Sequence, residues 1–314
     1  SPAKILVEAG SEILFNLSCS PYTRGKNSKR GRVFSAQARA LGTPLVYCNC
    51  VGLQNNGKTI YSFDGSSNVY NGQGKTVYAA PMFETALGVV DMGAPPRETS
   101  GVETSDIDEM YRALIYGTSN FLKLTGIERV VIGLSGGVDS ALAAVLYARL
   151  LPPENLLLVN MPSRFNSGLT RQAAETLATR LGCGRLVLPI GPGVEATLGQ
   201  FENLDFKVGE KSHRLSLSPL GLENVQARDR GARLLAALAS AFGGGFTCNA
   251  NKSELTVGYA TLYGDLAGFA AVLGDLWKGD VYGMSRYINQ NFGDLIPAAI
   301  LEVKPSAELS EAQN

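Results

Sequence analysis

Two rhythms of apolar and polar positions run along the chain, and they change near residue 105. In the first part, 5–10 fit the end of a helix and 12–18 a buried strand that leads to a turn at Pro21. Residues 27–41 have helical spacing, with Val33, Phe34, Ala36, Ala38 and Leu41 set among basic residues. Short β-rich segments follow at 44–50, 59–63, 67–70, 75–80 and 87–91, punctuated by Asn55-Asn56-Gly57, Asp64-Gly65 and Asn71-Gly72-Gln73-Gly74. The pattern is a strand, a helix and a β-meander ending near Met92.

Residues 94–105, with Pro95-Pro96 among small and charged neighbours, have the composition of a linker. Two domains are therefore expected, 1–93 and 106–314. In the second, helix 106–125, strand 129–133, helix 138–151, strand 155–160, helix 169–182 and strand 185–190 alternate strictly. Such alternation implies right-handed crossovers and a doubly wound parallel sheet in an α/β fold, with ligands at the carboxyl ends of the strands. Residues 191–219 read as irregular, a lid or an insertion. A helix over 222–242, a strand over 245–248, a mixed stretch over 251–273 and a helix over 278–291 complete the domain.

Composition narrows the function classes. At 314 residues, 45% hydrophobic and 18% charged, the chain can build two cores. Its formal net charge of +0 supplies no global basic field, so no nucleic-acid partner is expected, and small-molecule chemistry is. Five cysteines and one histidine, without metal-ligand spacing, argue against a disulfide framework or a zinc site and fit a reducing cytoplasm. No apolar run reaches about 18 residues, so no membrane span is expected. The chain opens Ser1-Pro2-Ala3-Lys4 without an initiator Met and is read as a piece of a longer protein.

The densest chemical signal follows the strand ending at Gly133. Leu134-Ser135-Gly136-Gly137-Val138-Asp139-Ser140 is a small, glycine-rich turn opening an apolar helix. Free first-turn amides, the helix dipole and two residues without Cβ make such a turn an anion cradle. A kinase-type loop would carry a Lys after the glycines, and here Asp139 stands in the turn. An acidic group beside phosphate is consistent with Mg²⁺ between the two. The plainer alternative is an ordinary strand-to-helix turn with Asp139 as a cap, which the flanking Ser135 and Ser140 make less apt.

Ser135-Gly136-Gly137-Val138-Asp139-Ser140 resembles the signature of the N-type ATP pyrophosphatases, which cleave ATP between its α and β phosphates to adenylate a substrate. Downstream, 223–231, Asn251-Lys252-Ser253-Glu254, Thr261-Leu262-Tyr263-Gly264-Asp265 and Lys304-Pro305-Ser306 resemble the NAD synthetases within that class. Asn16-Leu17-Ser18-Cys19-Ser20-Pro21-Tyr22, Gly25-Lys26 and Asp64-Gly65-Ser66-Ser67 resemble the end of the nitrilase-like glutaminase domain fused to glutamine-dependent members. The resemblance implies an adenine-nucleotide α-hydrolase-like, Rossmann-like domain, preceded by the C-terminal part of an α/β/β/α nitrilase-like domain.

It also implies a reaction and its residues. ATP would activate the carboxylate of deamido-NAD as an acyl-adenylate, and ammonia, released from glutamine in the intact protein, would displace AMP. Gly133, Leu134, Ser135, Gly136, Gly137, Val138, Asp139, Ser140, Asn249 and Lys278 would hold ATP. Asn224, Arg228, Arg230, Glu254 and Lys304 would hold deamido-NAD, Asp139 and Glu254 would bind Mg²⁺, and Ser20 and Lys26 would bind glutamine. Asn249-Ala250 departs from the Thr-Gly that many relatives carry there, which bears on the ATP contact. The family's glutamine-hydrolysing Glu, Lys and Cys all precede the matched residues. Cys19, Cys48 and Cys50 are read as strand packing rather than as substitute nucleophiles. His213 is read as a loop residue. A homo-oligomer is implied as well. An amidotransferase acting on another acid, or a non-catalytic ATP-sensing module, are the competing readings.

Overall fold

The computed structural model describes residues 1–57, 59–92, 105–163 and 168–302. Its contacts divide the chain into two compact units, Ser1–Leu124 and Thr125–Asn314. Among the described residues, no helix is long and apolar enough to cross a membrane.

The first unit contains α1 (Pro2–Glu8), β1 (Leu14–Ser18), α2 (Lys26–Leu41), β2 (Leu45–Asn49), β3 (Val51–Asn55), β4 (Ile60–Asp64), β5 (Asn68–Tyr70) and β6 (Thr76–Ala79). Its main sheet has the order β1-β2-β5-β6, with β1 parallel to β2 and the later pairs antiparallel. β3 and β4 form a separate antiparallel hairpin whose turn is built by the side chains of Asn55 and Asn56. Ala3 and Val7 of α1, and Phe34, Ala38 and Leu41 of α2, cover one face of the main sheet through Leu14, Leu45, Tyr47 and Tyr70. The other face of β1 is bare, with Phe15 69% and Leu17 80% exposed. Cys19, Cys48 and Cys50 are exposed too, which corrects the expectation that they are packed inside. Cys48 points to the uncovered face of β2, and Cys19 and Cys50 lie just beyond the ends of β1 and β2.

Helix α3 (Asp106–Thr125) matches its expected bounds. It packs within the first unit rather than with the sheet that follows, Tyr116 lying against Phe83 at 5.0 Å and Arg112 donating to the Met82 carbonyl at 3.2 Å. The strand expected at 87–91 is absent. That stretch has no ladder partner among the described residues, and Leu87 and Val89 stand 99% and 100% exposed.

The second unit is the alternating one. β7 (Val130–Gly133), α4 (Val138–Ala148), β8 (Leu156–Asn160), α5 (Gly168–Leu181), β9 (Gly184–Val187) and the two-residue β12 (Gly245–Phe246) build an all-parallel sheet of order β12-β7-β8-β9. Val130, Val131 and Ile132 are fully buried, because a parallel strand between helical layers has no wet face. α4 packs against α5 and against α10 (Lys278–Phe292), and every residue from Ser140 to Tyr147 is buried. The opposite face is closed by Leu234, Leu235 and Ala239 on Val131, Val159 and Met161.

Between β9 and β12 the structure departs from the irregular reading of 191–219. α6 (Gly191–Phe201) begins there, its Pro192 lying in the first turn, where the missing N–H costs nothing. An exposed hairpin of β10 (Asp205–Val208) and β11 (Lys211–Arg214) follows, His213 stacking on Phe206 at 5.2 Å. The helix expected over 222–242 is three pieces: α7 (Pro219–Arg228), a π-helical stretch Asp229–Leu235, and α8 (Ala236–Phe242). Two short helices, α9 (Lys252–Val257) and α11 (Ala298–Glu302), complete the described chain.

Candidate functional site

The site is assembled at the carboxyl end of β7. Beyond Gly133 the chain leaves the sheet through Leu134, whose N–H donates to the Val159 carbonyl at 2.8 Å and whose carbonyl accepts from Asn160 Nδ2 at 2.8 Å. Gly136 then turns with φ +93°, a left-handed conformation that favours glycine. Ser140, one turn into α4, ties the loop together. Its Oγ accepts from the Ser135 N–H at 3.2 Å, donates to the Gly137 carbonyl at 3.0 Å and lies 3.1 Å from Ser135 Oγ. Gly137 is the N-cap of α4 and brings no side chain to it, so the first-turn amides of a buried helix lack a capping oxygen.

Asn249 supports this loop from the next strand end. Its Nδ2 donates to the Gly133 carbonyl at 3.0 Å, and its Oδ1 accepts from Thr247 Oγ1 at 2.8 Å. Both polar ends of its side chain are thus engaged in holding the loop, a geometry that Asn249-Ala250 gives no sign of in sequence.

Asp139 projects from the first turn of α4 toward two partners. Its Oδ2 accepts from Lys278 Nζ, at the start of α10, and its Oδ1 accepts from Asn251 Nδ2 at 2.8 Å. The same Lys278 ammonium lies 3.7 Å from Glu254 Oε1. All three charged side chains are part-buried. Burial, followed by the neighbouring Asp139 charge, holds the Glu254 carboxyl above its ordinary range. Glu254 lies in α9, whose N-cap Asn251 is fully buried. Asn251 Oδ1 accepts from the Glu254 N–H and its own N–H donates to Glu254 Oε2, each at 3.1 Å, a reciprocal capping box.

Asn224, Arg228 and Arg230 lie at the junction of α7 and the π-helical stretch. Asn224 Oδ1 accepts from Thr261 Oγ1 at 2.7 Å, Arg228 Nε donates to the Leu262 carbonyl at 3.2 Å, and Arg230 Nε donates to the Met161 carbonyl at 3.1 Å. Asn224 and Arg228 are thereby joined to segment 261–265, where Asp265 accepts from the Thr261 N–H at 2.6 Å and burial pushes its carboxyl up, with the Arg230 charge acting against it. Lys304 lies outside the described residues.

Sequence reasoning gave no role to Asn251, Asn160 or Asp265. Asn251 and Asp265 fell inside quoted motifs, and Asn160 closes a predicted strand. Each acts through a partner distant in sequence or through a turn that no periodicity reveals.

Ser20 and Lys26 belong to the first unit. Lys26 Nζ donates to the Pro21 carbonyl at 2.9 Å, and its ammonium is held below its ordinary range by burial and by Arg30. Arg30 is the centre of this cluster. It clasps Asp64 at 2.9 and 2.7 Å and donates to the Ser20 carbonyl at 2.9 Å and Ser20 Oγ at 3.2 Å. Asn49 adds a bond from the Ser20 N–H at 2.8 Å. Arg30 is 8% exposed and Asp64 is 0% exposed, and nothing in the basic residues of helix 27–41 singles Arg30 out.

Comparison with known proteins gives a consistent picture. The NAD synthase family profile matches residues 110–314. A glutamine-dependent NAD(+) synthetase of Synechocystis sp. is 36% identical over 323 residues, covering 100% of this chain and 54% of the relative. One from Rhodobacter capsulatus is 37% identical over 328 residues, covering 99% and 56%. The chain thus spans little more than half the length of these relatives. Among solved structures, the glutamine-dependent NAD+ synthetase of Acinetobacter baumannii in complex with ADP superposes with a TM-score of 0.83 at 31% identity, over 97% of this chain and 56% of that one.

Proposed function

The chain belongs to the NAD synthase family, and we propose on that premise that its second unit carries out the ATP-dependent amidation of deamido-NAD to NAD, AMP and pyrophosphate. The observation that carries the proposal is the meeting of Asp139, Glu254 and Lys278 beside a glycine loop with uncapped amides. A carboxylate is a poor electrophile, so its oxygen must first attack the α-phosphorus of ATP. Ammonia then adds to the acyl carbon and AMP departs.

In this reading the loop from Gly133 to Ser140 receives the departing pyrophosphate through its amides, and Lys278 places a positive charge where negative charge develops. Asp139 and Glu254 are the residues that would hold Mg²⁺. They fit it, since two hard carboxylate oxygens already converge on one cationic group, and Mg²⁺ keeps its remaining positions for water and phosphate. When bound, it would neutralise charge on the phosphate oxygens. Asn224, Arg228 and Arg230 are assigned to deamido-NAD, with segment 261–265 as their support. Asn249 is assigned to shaping the ATP loop through Gly133.

Ser20 and Lys26 are assigned to glutamine in the first unit, Lys26 as partner of the α-carboxylate and Arg30 as the residue that orders Ser20. Delivery of nitrogen from glutamine, a homo-oligomeric state and the domain boundary at 94–105 belong to the same proposal for the whole protein.

The test is pyrophosphate release and NAD formation by the chain with ATP, deamido-NAD, Mg²⁺ and ammonium chloride. Turnover is expected, with Asp139→Asn lowering kcat by about 10²-fold or more. A folded chain that binds ATP but neither binds deamido-NAD nor releases pyrophosphate would refute this function.

A further inference from the structure

Asp139 and Glu254 come from different parts of the fold, one from the first turn of α4 and the other from α9. Each carboxylate divides its two oxygens in the same way. Asp139 gives Oδ1 to Asn251 Nδ2 at 2.8 Å and Oδ2 to Lys278. Glu254 gives Oε2 to the Asn251 N–H at 3.1 Å and turns Oε1 toward Lys278 at 3.7 Å. One oxygen of each is thus tied to Asn251, and the other oxygen of each faces the Lys278 ammonium. We propose that Asn251 is the positioning residue of this site, setting the direction and separation of the Asp139 and Glu254 oxygens that receive a divalent cation. This rests on the reading above of those two residues as the cation-holding pair.

The side chain is suited to this task in a way that its other role does not require. As N-cap of α9 it needs only an acceptor for the Glu254 N–H, which Ser, Thr or Asp would supply equally well. The bond to Asp139 needs a donor on the same side chain, pointing the other way. Asparagine is the short side chain that carries the two on separate atoms, whereas a Ser or Thr hydroxyl has donor and acceptor on one oxygen placed for the cap, and glutamine would overreach by a methylene. Asn251 is 0% exposed, so bulk water cannot restore a lost donor without entering a packed site. A carboxylate at 251 would keep the cap and set a second negative charge against Asp139 Oδ1. Capping and positioning can therefore be separated by substitution.

The experiment compares wild type with Asn251→Ser and Asn251→Thr, both of which retain a capping hydroxyl. Mn²⁺ binding in the presence of ATP is measured by electron paramagnetic resonance, and thermal melting is followed without metal or nucleotide. The expected result is Mn²⁺ affinity lowered about 10- to 100-fold in both variants, the range found when a residue supporting a metal ligand is removed, with melting close to wild type. Wild-type Mn²⁺ affinity in either folded variant would overturn the proposal. Failure of both variants to fold would also overturn it, in favour of a purely structural role. If wild type and variants alike bind ATP without binding Mn²⁺, the assignment of Asp139 and Glu254 falls, and this proposal with it. Selective weakening in the variants cannot arise in that case, so the two failures are distinct.

Discussion

At the scale of single residues, Glu254 is the side chain whose cost the fold most visibly bears. Burial and the Asp139 charge both favour its protonated form, against the weaker pull of the Asn251 N–H and Lys278. Its pKa is therefore higher folded than unfolded. The folded state binds more protons in the window from the ordinary glutamate range up through the raised value, so stability is greatest below that window and falls as pH rises through it. Glu254→Gln removes the ionisable group while keeping an acceptor for the capping box. It should raise the melting temperature by a few degrees at pH 8 without divalent cations, and the difference should vanish toward pH 4. Melting curves at three pH values check this, and a variant less stable than wild type at pH 8 would contradict it. The strand-to-helix turn was legible at this scale because Ser135, Gly137 and Ser140 bond to one another within five positions. Asn251 was not, because its partner Asp139 lies 112 positions away. Arg30 went unmarked for a similar reason: nothing in helix 27–41 shows that one of its cations faces a buried Asp64.

At the scale of elements, the long strands and helices of the second unit were legible from periodicity, since a buried β7 and α4 are apolar without interruption. The segments that went astray are those where local rules compete. Gly191-Pro192-Gly193 reads as a breaker and is a helix start. Asp229–Leu235 winds as a π-helix, which its sequence does not announce. There Gly231 lies directly on the Gly264 backbone, which leaves no room for a Cβ. The close approach fixes segment 261–265 against α7, where Asn224 and Arg228 reach it. Gly231→Ala should therefore cost about 1–3 kcal/mol, the usual range for overpacking. It should also raise KM for deamido-NAD more than KM for ATP. Urea unfolding and steady-state kinetics read the two effects, and unchanged stability would show that the contact yields.

At the scale of the whole molecule, two compact units each carry a sheet, but they differ in cover. The second buries β7 and β8 between helical layers, whereas β1 and β2 have helices on one side only. That difference was not legible, because Phe15 and Leu17 on the second face of β1, with Ile13 just before it, are as apolar as a covered face would be. Phe15 and Leu17 make an apolar surface of the kind that promotes association. Phe15→Ser with Leu17→Ser should reduce dye binding to exposed apolar surface and concentration-dependent light scattering, with little change in melting temperature. A large loss of stability would show that this face is packed in solution.

The ties that complete the glycine loop after β7 also have a temporal meaning. Gly133 is held by Asn249 from 116 positions away, and Asp139 is held by Lys278 from 139 positions away. Closing such spans costs chain entropy before any contact returns it, so pairings of this kind form late. The β7 turn is synthesised before α10, yet it gains its final shape only when the chain has folded back from α10. Under the function proposed for it, the loop would then acquire its affinity for nucleotide only at the end of folding.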